Sequence, residues 1–358
     1  MSRVTVIAEI GVNHNGDAEL ARRLIDAAAD AGADAVKFQT FDAAALATKA
    51  APKAAYQLES TASDQSQLDM LRALELPLAA YGALKRHAEG RGLEFLSTPF
   101  DPGSLAFLVE ELGVATVKIG SGDLTDGPLL LAAARSGRRL IVSTGMSTLD
   151  EIADALDVIA YGRTHDRSLG GRADFSGCRE RPEGKAALEG TVTLLHCTSL
   201  YPAPVEHANL HALATLRERF GLPVGYSDHT VGLEVSLAAV ALGAVVIEKH
   251  LTLDREMAGP DHSASAAPRE FEDFVSGIRV VEAALGSAEK KPVAAEMDTR
   301  RSARKSLVAS RRVAAGQPFT AADVAVKRPG DGLSPIAYWD VLGKPAVREF
   351  SDDEVIEL

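Results

Sequence analysis

The sequence predicts an α/β fold, a (β/α)8 barrel followed by a small β-rich domain. Eight short β-branched runs alternate with amphipathic helical segments, many of them closed by glycine, as repeated βα units over a parallel sheet require. Together they occupy about 285 residues, near the usual length of this fold. Beyond them the chain changes character. Residues 286–302 turn charged and small, as a linker does, and 303–358 carry short alternating runs such as SLVASRRV and PAVREF with Gly316, Gly330, Gly332 and Gly343. The expected organisation is therefore a barrel at 1–285, a linker at 286–302 and a β-rich domain at 303–358.

Each unit can be justified in order. RVTVIAEI (3–10) leads into the helical AELARRLIDAAADAG, and DAVKFQT (34–40) is the second strand. LEFLSTPF (93–100) precedes SLAFLVEELG, ATVKIGS (115–121) precedes PLLLAAARSG, and RLIVSTG (139–145) precedes TLDEIADALDVIA. VTLLHCTSL (192–200), PVGYSDHT (223–230) and AVVIEKHL (244–251) are followed by ANLHALATLRERFG, GLEVSLAAVALG and PREFEDFVSGIRVVEAALG. The terminal glycines suit helix C-caps. Residues 162–189 are polar and rich in Gly and Arg, and read as an insertion on the N-terminal side of the barrel, a mobile surface loop.

Composition narrows the function. A chain of 358 residues with 46% hydrophobic content can bury a large core, while a net charge of −12 argues against nucleic acid as a partner. An anionic ligand then needs local cations. Cys178 and Cys197 alone make no disulfide framework, and neither a signal-peptide pattern nor a run of membrane-spanning length is present, so a soluble cytoplasmic protein is expected.

The chemistry lies in a polar break repeated at the strand ends. Glu9 ends the first strand, Lys37 and Gln39 the second, Ser97 and Thr98 the third, and Lys118 and Ser121 the fourth. Ser143 and Thr144 end the fifth, Ser199 and Tyr201 the sixth, Ser227 and His229 the seventh, Glu248 and His250 the eighth. In a parallel barrel these ends share the mouth where barrel enzymes place their active sites.

Residues two apart on a strand share a face, which pairs Lys37 with Gln39, Ser227 with His229, and Glu248 with His250. Inward-facing His229 and His250 could share one metal, and two imidazoles completed by water and substrate oxygens suit Mn²⁺ or Mg²⁺ better than a closed zinc site. Asp228 and Lys249 should point outward, toward helices or an ion pair. A lysine at such a position can form a Schiff base, bind a phosphate or carboxylate, or balance an acid. Beside Ser121, Ser143 and Ser227, Lys37 and Lys118 fit an anion cradle best.

Ten motifs in order along the chain carry a family resemblance: AEIGVNHNGD (8–17), AGADAVKFQT (31–40), STPFD (97–101), KIGSGDL (118–124), STGM (143–146), LLHCTSLYPAP (194–204), GYSDHT (225–230), IEKH (247–250), GPDH (259–262) and KRPGDG (327–332). The chain resembles the sialic acid synthases and their legionaminate and pseudaminate synthase relatives, with a C-terminal antifreeze-like (SAF) domain. The resemblance implies condensation of phosphoenolpyruvate with an N-acylated amino sugar. It makes His229 and His250 the metal ligands, and Lys37, Lys118, Ser121, Ser143 and Ser227 the phosphoenolpyruvate cradle. It casts Glu9, Gln39, Tyr201 and Asp261 as sugar-side or catalytic contacts, Glu248 as support for the site, and Phe100 and Thr98 as its lining.

Two positions depart from the family pattern. Ser199 stands where some relatives carry Asn, as the expected phosphate contact, and Asp123 stands where some carry Glu, as a further catalytic carboxyl. The resemblance further implies a domain-swapped homodimer in which Arg328 of one subunit contacts the N-acyl sugar in the other. KIGSGD and YWDVLGK favour the sialic and legionaminic branches over the pseudaminic one, and the lack of extra basic runs favours an unphosphorylated sugar. N-acetylmannosamine is the expected acceptor, with a diacetamido-trideoxy sugar as the alternative. A pyruvate aldolase and a non-catalytic carbohydrate-binding protein are the rivals from other classes.

Overall fold

A computed structural model describes residues 3–53, 66–165 and 170–358. Eight strands, β1 (Thr5–Gly11), β2 (Ala35–Thr40), β3 (Glu94–Pro99), β4 (Thr116–Ile119), β5 (Arg139–Ser143), β6 (Val192–Cys197), β7 (Val224–Asp228) and β8 (Val246–His250), close into a barrel in sequence order. All neighbours are parallel, and β1 pairs with β8 from Thr5 opposite Val246 to Glu9 opposite His250. The predicted barrel is thus the observed one.

Strand alternation divides each strand between two cores. Outward residues such as Val6, Val36, Val117, Val142, Leu194 and Ile247 join the main hydrophobic core with the helices. Inward residues Ile7, Ala35, Leu96, Ile141, Leu195 and Val246 form a separate apolar layer inside the barrel. One step of two residues further along, the inward positions become Glu9, Lys37, Thr98, Ser143, Cys197 and Glu248. The barrel therefore has an apolar base and a polar mouth. Gly225 belongs to the tight base, where a Cβ would meet the Val246 carbonyl and lie 2.7 Å from Leu195 Cδ2.

The outward positions also hold a charged pair. Asp228 and Lys249, next to each other on β7 and β8, form a buried ion pair at 2.9 Å, as the alternation predicts. Asp228 also accepts from Thr230 N, Thr230 Oγ1 and Ser236 Oγ, and Lys249 donates to the Thr230 carbonyl.

The segment 162–189 is not a loop in its described residues. The helix Leu149–Thr164 runs into it, and short helices at Arg172–Phe175 and Pro182–Leu188 follow. They are anchored by buried Asp157, which accepts from Gly177 N, Arg179 N and the Arg179 guanidinium. The sequence expectation failed because Gly and Arg read as solvated punctuation, whereas here Arg179 is the partner of a buried acid on the preceding helix.

The chain divides into two compact units, Met1–Gly286 and Ser287–Leu358. The second contains a helix at Met297–Ala303, which spans the end of the segment read as a linker and the first residue after it, and an antiparallel pair, β9 (Ser306–Ala309) with β10 (Val324–Lys327). Leu307, Val313, Phe319, Val341 and Phe350 centre its own small core. No helix among the described residues is long and apolar enough to cross a membrane.

Candidate active site

At the mouth of the barrel lies a cavity of ≈ 390 Å³. Its floor is an ionic cluster built by β1, β2, β4, β7 and β8. Lys37 Nζ lies 2.9 Å from Glu9 Oε2 and 3.5 Å from Glu248 Oε2, while Lys118 Nζ lies 3.3 Å from Glu248 Oε1. Ser227 Oγ donates to Glu248 at 2.8 Å, Gln39 Nε2 donates to Glu9 at 3.1 Å, and Lys37 reaches Thr98 Oγ1 at 3.3 Å. The register explains these contacts, since Glu9 pairs with Lys37 and with His250, and Ser227 with Glu248.

Burial and the lysines together drive the two carboxyls apart. It pushes Glu9 up to about 7, with Lys37 acting against the rise and Glu248 adding to it. Burial also works to raise Glu248, but Lys118 and Lys37 together outweigh it and hold that carboxyl at about 2. Two carboxyls separated in this way suit different tasks, one moving a proton and one staying charged. Burial lowers Lys118, and for Lys37 the two carboxylates overcome the same burial and raise it.

Above this floor stand the two histidines, ring centroids 5.6 Å apart. Burial lowers His229 to about 4, against the pull of the Thr198 carbonyl, and lowers His250 well below the usual imidazole range with help from His229 and Lys37. Both are neutral near pH 7, the form that binds metals. His229 Nδ1 lies 2.7 Å from the Thr198 carbonyl, which fixes the proton there and frees Nε2 as a ligand. His250 Nδ1 is buried with no hydrogen-bond partner among the described residues, and Asp261 Oδ2 is 4.0 Å away. Burial raises Asp261 to about 6 against the effect of Lys37. No group of three or more His, Cys, Asp or Glu in ligating arrangement occurs among the described residues.

The remaining expected residues fall around this centre. Ser121, Ser143 and Ser199 line one side, where Ser121 Oγ accepts from Gly145 N at 3.0 Å and Ser143 Oγ is buried without a hydrogen-bond partner among the described residues. A Cβ at Gly145 would meet Ser199 Oγ and lie 2.8 Å from Ser121 Oγ, so only glycine leaves these hydroxyls room. Tyr201 packs on His229 with ring centroids 4.1 Å apart, and Phe100 lines the rim. Ser97 turns away and pairs with Thr40 at 2.7 Å.

One expected residue of the barrel unit, Asp123, is not at the cavity wall. Asp123 is half-buried in the turn after β4, its Oδ2 beneath Gly120, and burial raises it to about 6 with help from Asp126. Arg328 belongs to the second unit, where it is exposed and donates to the Ala303 carbonyl at 3.1 Å.

Sequence reasoning missed other lining residues. Cys197 lies 3.1 Å from Ser121 Oγ, and its inward place two residues after Leu195 was the available signal. Val12, Phe41, Met70, Leu71 and Leu74 form an apolar part of the wall. The last three sit on the helix Gln67–Leu74, whose apolar face reads in sequence as ordinary core.

The NeuB family profile matches residues 24–290 and the SAF domain profile residues 304–357. The chain is 45% identical over 99% of both chains to N,N'-diacetyllegionaminic acid synthase of Campylobacter jejuni. It is 42% identical to the Legionella pneumophila protein of the same name, over 94% of this chain and 89% of that one. Among solved structures, the N-acetylneuraminic acid synthetase of Leptospira borgpetersenii, in complex with citrate, superposes with a TM-score of 0.67 at 34% identity, over 83% of this chain and 90% of that one. On the strength of these matches across nearly its whole length, the chain belongs to the NeuB family and carries a C-terminal SAF domain.

Proposed function

We propose that the protein condenses phosphoenolpyruvate with a diacetamido-trideoxy sugar and water, giving N,N'-diacetyllegionaminic acid and phosphate. The observation that carries the reading is the floor cluster of Glu9, Lys37, Glu248 and Lys118 beneath two neutral imidazoles. The names of the Campylobacter and Legionella relatives support the diacetamido-trideoxy acceptor over N-acetylmannosamine, the first expectation from sequence.

Lys37 and Lys118, with the hydroxyls of Ser121, Ser143 and Ser227, supply the cations and donors that a phosphate and a carboxylate need in an acidic protein. Ser199, Thr98 and Gln39 add polar contacts. Carbon 3 of phosphoenolpyruvate attacks the open-chain aldehyde, leaving positive charge at carbon 2 that ionised Glu248 faces. Water adds at carbon 2 and gives one proton to Glu9, which returns it to the alkoxide left on the former aldehyde oxygen; the tetrahedral intermediate then expels phosphate, which takes the water's second proton, and a nine-carbon 2-keto acid remains.

His229 and His250 fit a divalent cation, because one is fixed in the ligand tautomer and the other has an orphaned buried nitrogen. Such a cation, Mn²⁺ before Mg²⁺, polarises the aldehyde as a Lewis acid when bound. Asp261 and Tyr201 orient the acceptor beside it, and Asp123 supports the cradle from behind. By the family resemblance the enzyme works in the cytoplasm as a homodimer, with Arg328 of one subunit holding the N-acyl end of the sugar in the other.

The test is phosphate release from phosphoenolpyruvate with N-acetylmannosamine, its 6-phosphate and the diacetamido-trideoxy sugars. Turnover is expected with the last class. Failure to release phosphate with every sugar sinks the proposal.

A further inference from the structure

The cavity has two unlike sides. Cations and hydroxyls gather on the floor and on the β4 to β7 side, through Lys37, Lys118, Ser121, Ser143, Ser199 and Ser227, whereas above the floor the wall that follows β1 and β2 is apolar. There Val12 follows β1, Phe41 follows β2, and Met70, Leu71 and Leu74 come from the helix Gln67–Leu74. These five residues pack as a hydrophobic cluster of their own, separate from the barrel core, and all five face the cavity. An apolar cluster that ends in a ligand cavity is available to a ligand as well as to itself.

The wall is fixed in place. Glu75, just past the helix, accepts from Ala43 N at 2.5 Å, which ties the helix end to the segment after β2. A Cβ at Gly16 would lie 2.9 Å from the Ala73 carbonyl, so the loop after β1 lies flush against the same helix end. Ser66 caps the helix start through Asp69 N at 3.1 Å. A wall tied at its helix end to the segments after β1 and β2 selects by shape and polarity, because its side chains carry no polar group to turn toward an incoming hydroxyl.

We infer that Val12, Phe41, Met70, Leu71 and Leu74 form the acceptor-selecting wall, which takes the methyl groups of a 6-deoxy, N-acylated sugar and disfavours a 6-hydroxymethyl or a 6-phosphate. This rests on the synthase reading above, and it assigns the choice of acceptor to residues outside the catalytic cluster. In a trideoxyhexose bearing two acetamido groups, two deoxy positions hold nitrogen and the third is the terminal methyl. With phosphoenolpyruvate held on the floor by Lys37 and Lys118, the far end of that sugar lies toward the mouth, where this wall stands. A hydroxyl there would leave water for a surface with no oxygen or nitrogen in its side chains. An apolar pocket rejects an added hydroxyl by on the order of 10²-fold at most, so the wall grades acceptors rather than excluding them. A phosphate meets the same surface with no cation on it.

Phosphate-release kinetics should be run on the full-length protein and on Leu71→Asn and Leu74→Asn, with the diacetamido-trideoxy sugar and N-acetylmannosamine in parallel. The wild type is expected to favour the trideoxy sugar in kcat/KM by about ten- to a hundredfold. Each variant should raise KM for that sugar and shrink the preference at least several-fold, while KM for phosphoenolpyruvate moves far less. An unchanged preference in both variants overturns the inference and leaves the synthase reading standing. A wild type that turns over no acceptor overturns the synthase reading itself. Saturation-transfer NMR on the wild type guards against misfolded variants: the sugar's terminal methyl should saturate more strongly than its ring protons, and the reverse order also overturns the inference.

Discussion

Lys37 Nζ sits between Glu9 Oε2 at 2.9 Å and Glu248 Oε2 at 3.5 Å, so one buried ammonium is shared by two carboxyls that titrate in opposite directions. Glu9, raised to about 7, is protonated below that pH and ionised above it. As the acceptor of a proton from water it works only when ionised, so kcat/KM should rise with pH through about 7. Glu9→Gln should lower kcat by about 10²–10⁴-fold and remove that limb. Persistence of the limb in the variant would assign it to another group.

Replacing either His229 or His250 with Ala should abolish turnover with little change in thermal midpoint, since both face the cavity. EDTA should silence the wild type reversibly, with Mn²⁺ restoring activity. Full activity of chelated His250→Ala would remove the metal from the mechanism.

The lysines should behave as charges and not as nucleophiles. Lys37→Ala and Lys118→Ala are each expected to raise KM for phosphoenolpyruvate at least tenfold, about 1.4 kcal/mol. Borohydride with pyruvate should leave no adduct, and a trapped adduct on either lysine would point to an aldolase.

Behind the site, the Asp228–Lys249 pair offers a contrast. Lys249→Met leaves a buried carboxylate without its cation and should cost about 3–5 kcal/mol of stability, measured by urea unfolding. KM for phosphoenolpyruvate should stay near the wild-type value, because the pair faces away from the cavity. A variant as stable as the wild type would mean that Thr230 and Ser236 alone satisfy Asp228.

Arg328→Ala should raise KM for the amino sugar more than for phosphoenolpyruvate, because the guanidinium is assigned to the N-acyl end. Mixing inactive His250→Ala protein with Arg328→Ala protein under subunit exchange should rebuild sites with both residues intact. No gain over the separate variants would withdraw the trans arrangement.

Much of this site was legible because strands repeat with period two. Once Glu248 and His250 share a face, Lys249 must take the other, and Asp228 beside it supplies the partner. The same rule places Lys37 with Gln39 and Ser227 with His229 at one mouth. What stayed hidden lacks a period of its own. Met70, Leu71 and Leu74 carry the pattern of any half-buried helix, and nothing local says that one side of it is a ligand cavity. Nothing in the sequence around Asp157 announces its partner Arg179, 22 residues on, which folds back over it. Asp123 was read from its neighbours in a motif, and the turn after β4 puts its carboxyl under the backbone of Gly120 instead.

The apolar layer of Ile7, Ala35, Leu96, Ile141, Leu195 and Val246 closes the base of the barrel. Traffic through the cavity is therefore one-ended. Whatever binds to Lys37 and Lys118 lies deeper than whatever rests on the wall at the rim, and the outer occupant blocks the inner one. Steady-state kinetics should then obey a compulsory order, with phosphoenolpyruvate entering first. Excess amino sugar arriving ahead of its turn should act as a dead-end inhibitor, competitive against phosphoenolpyruvate.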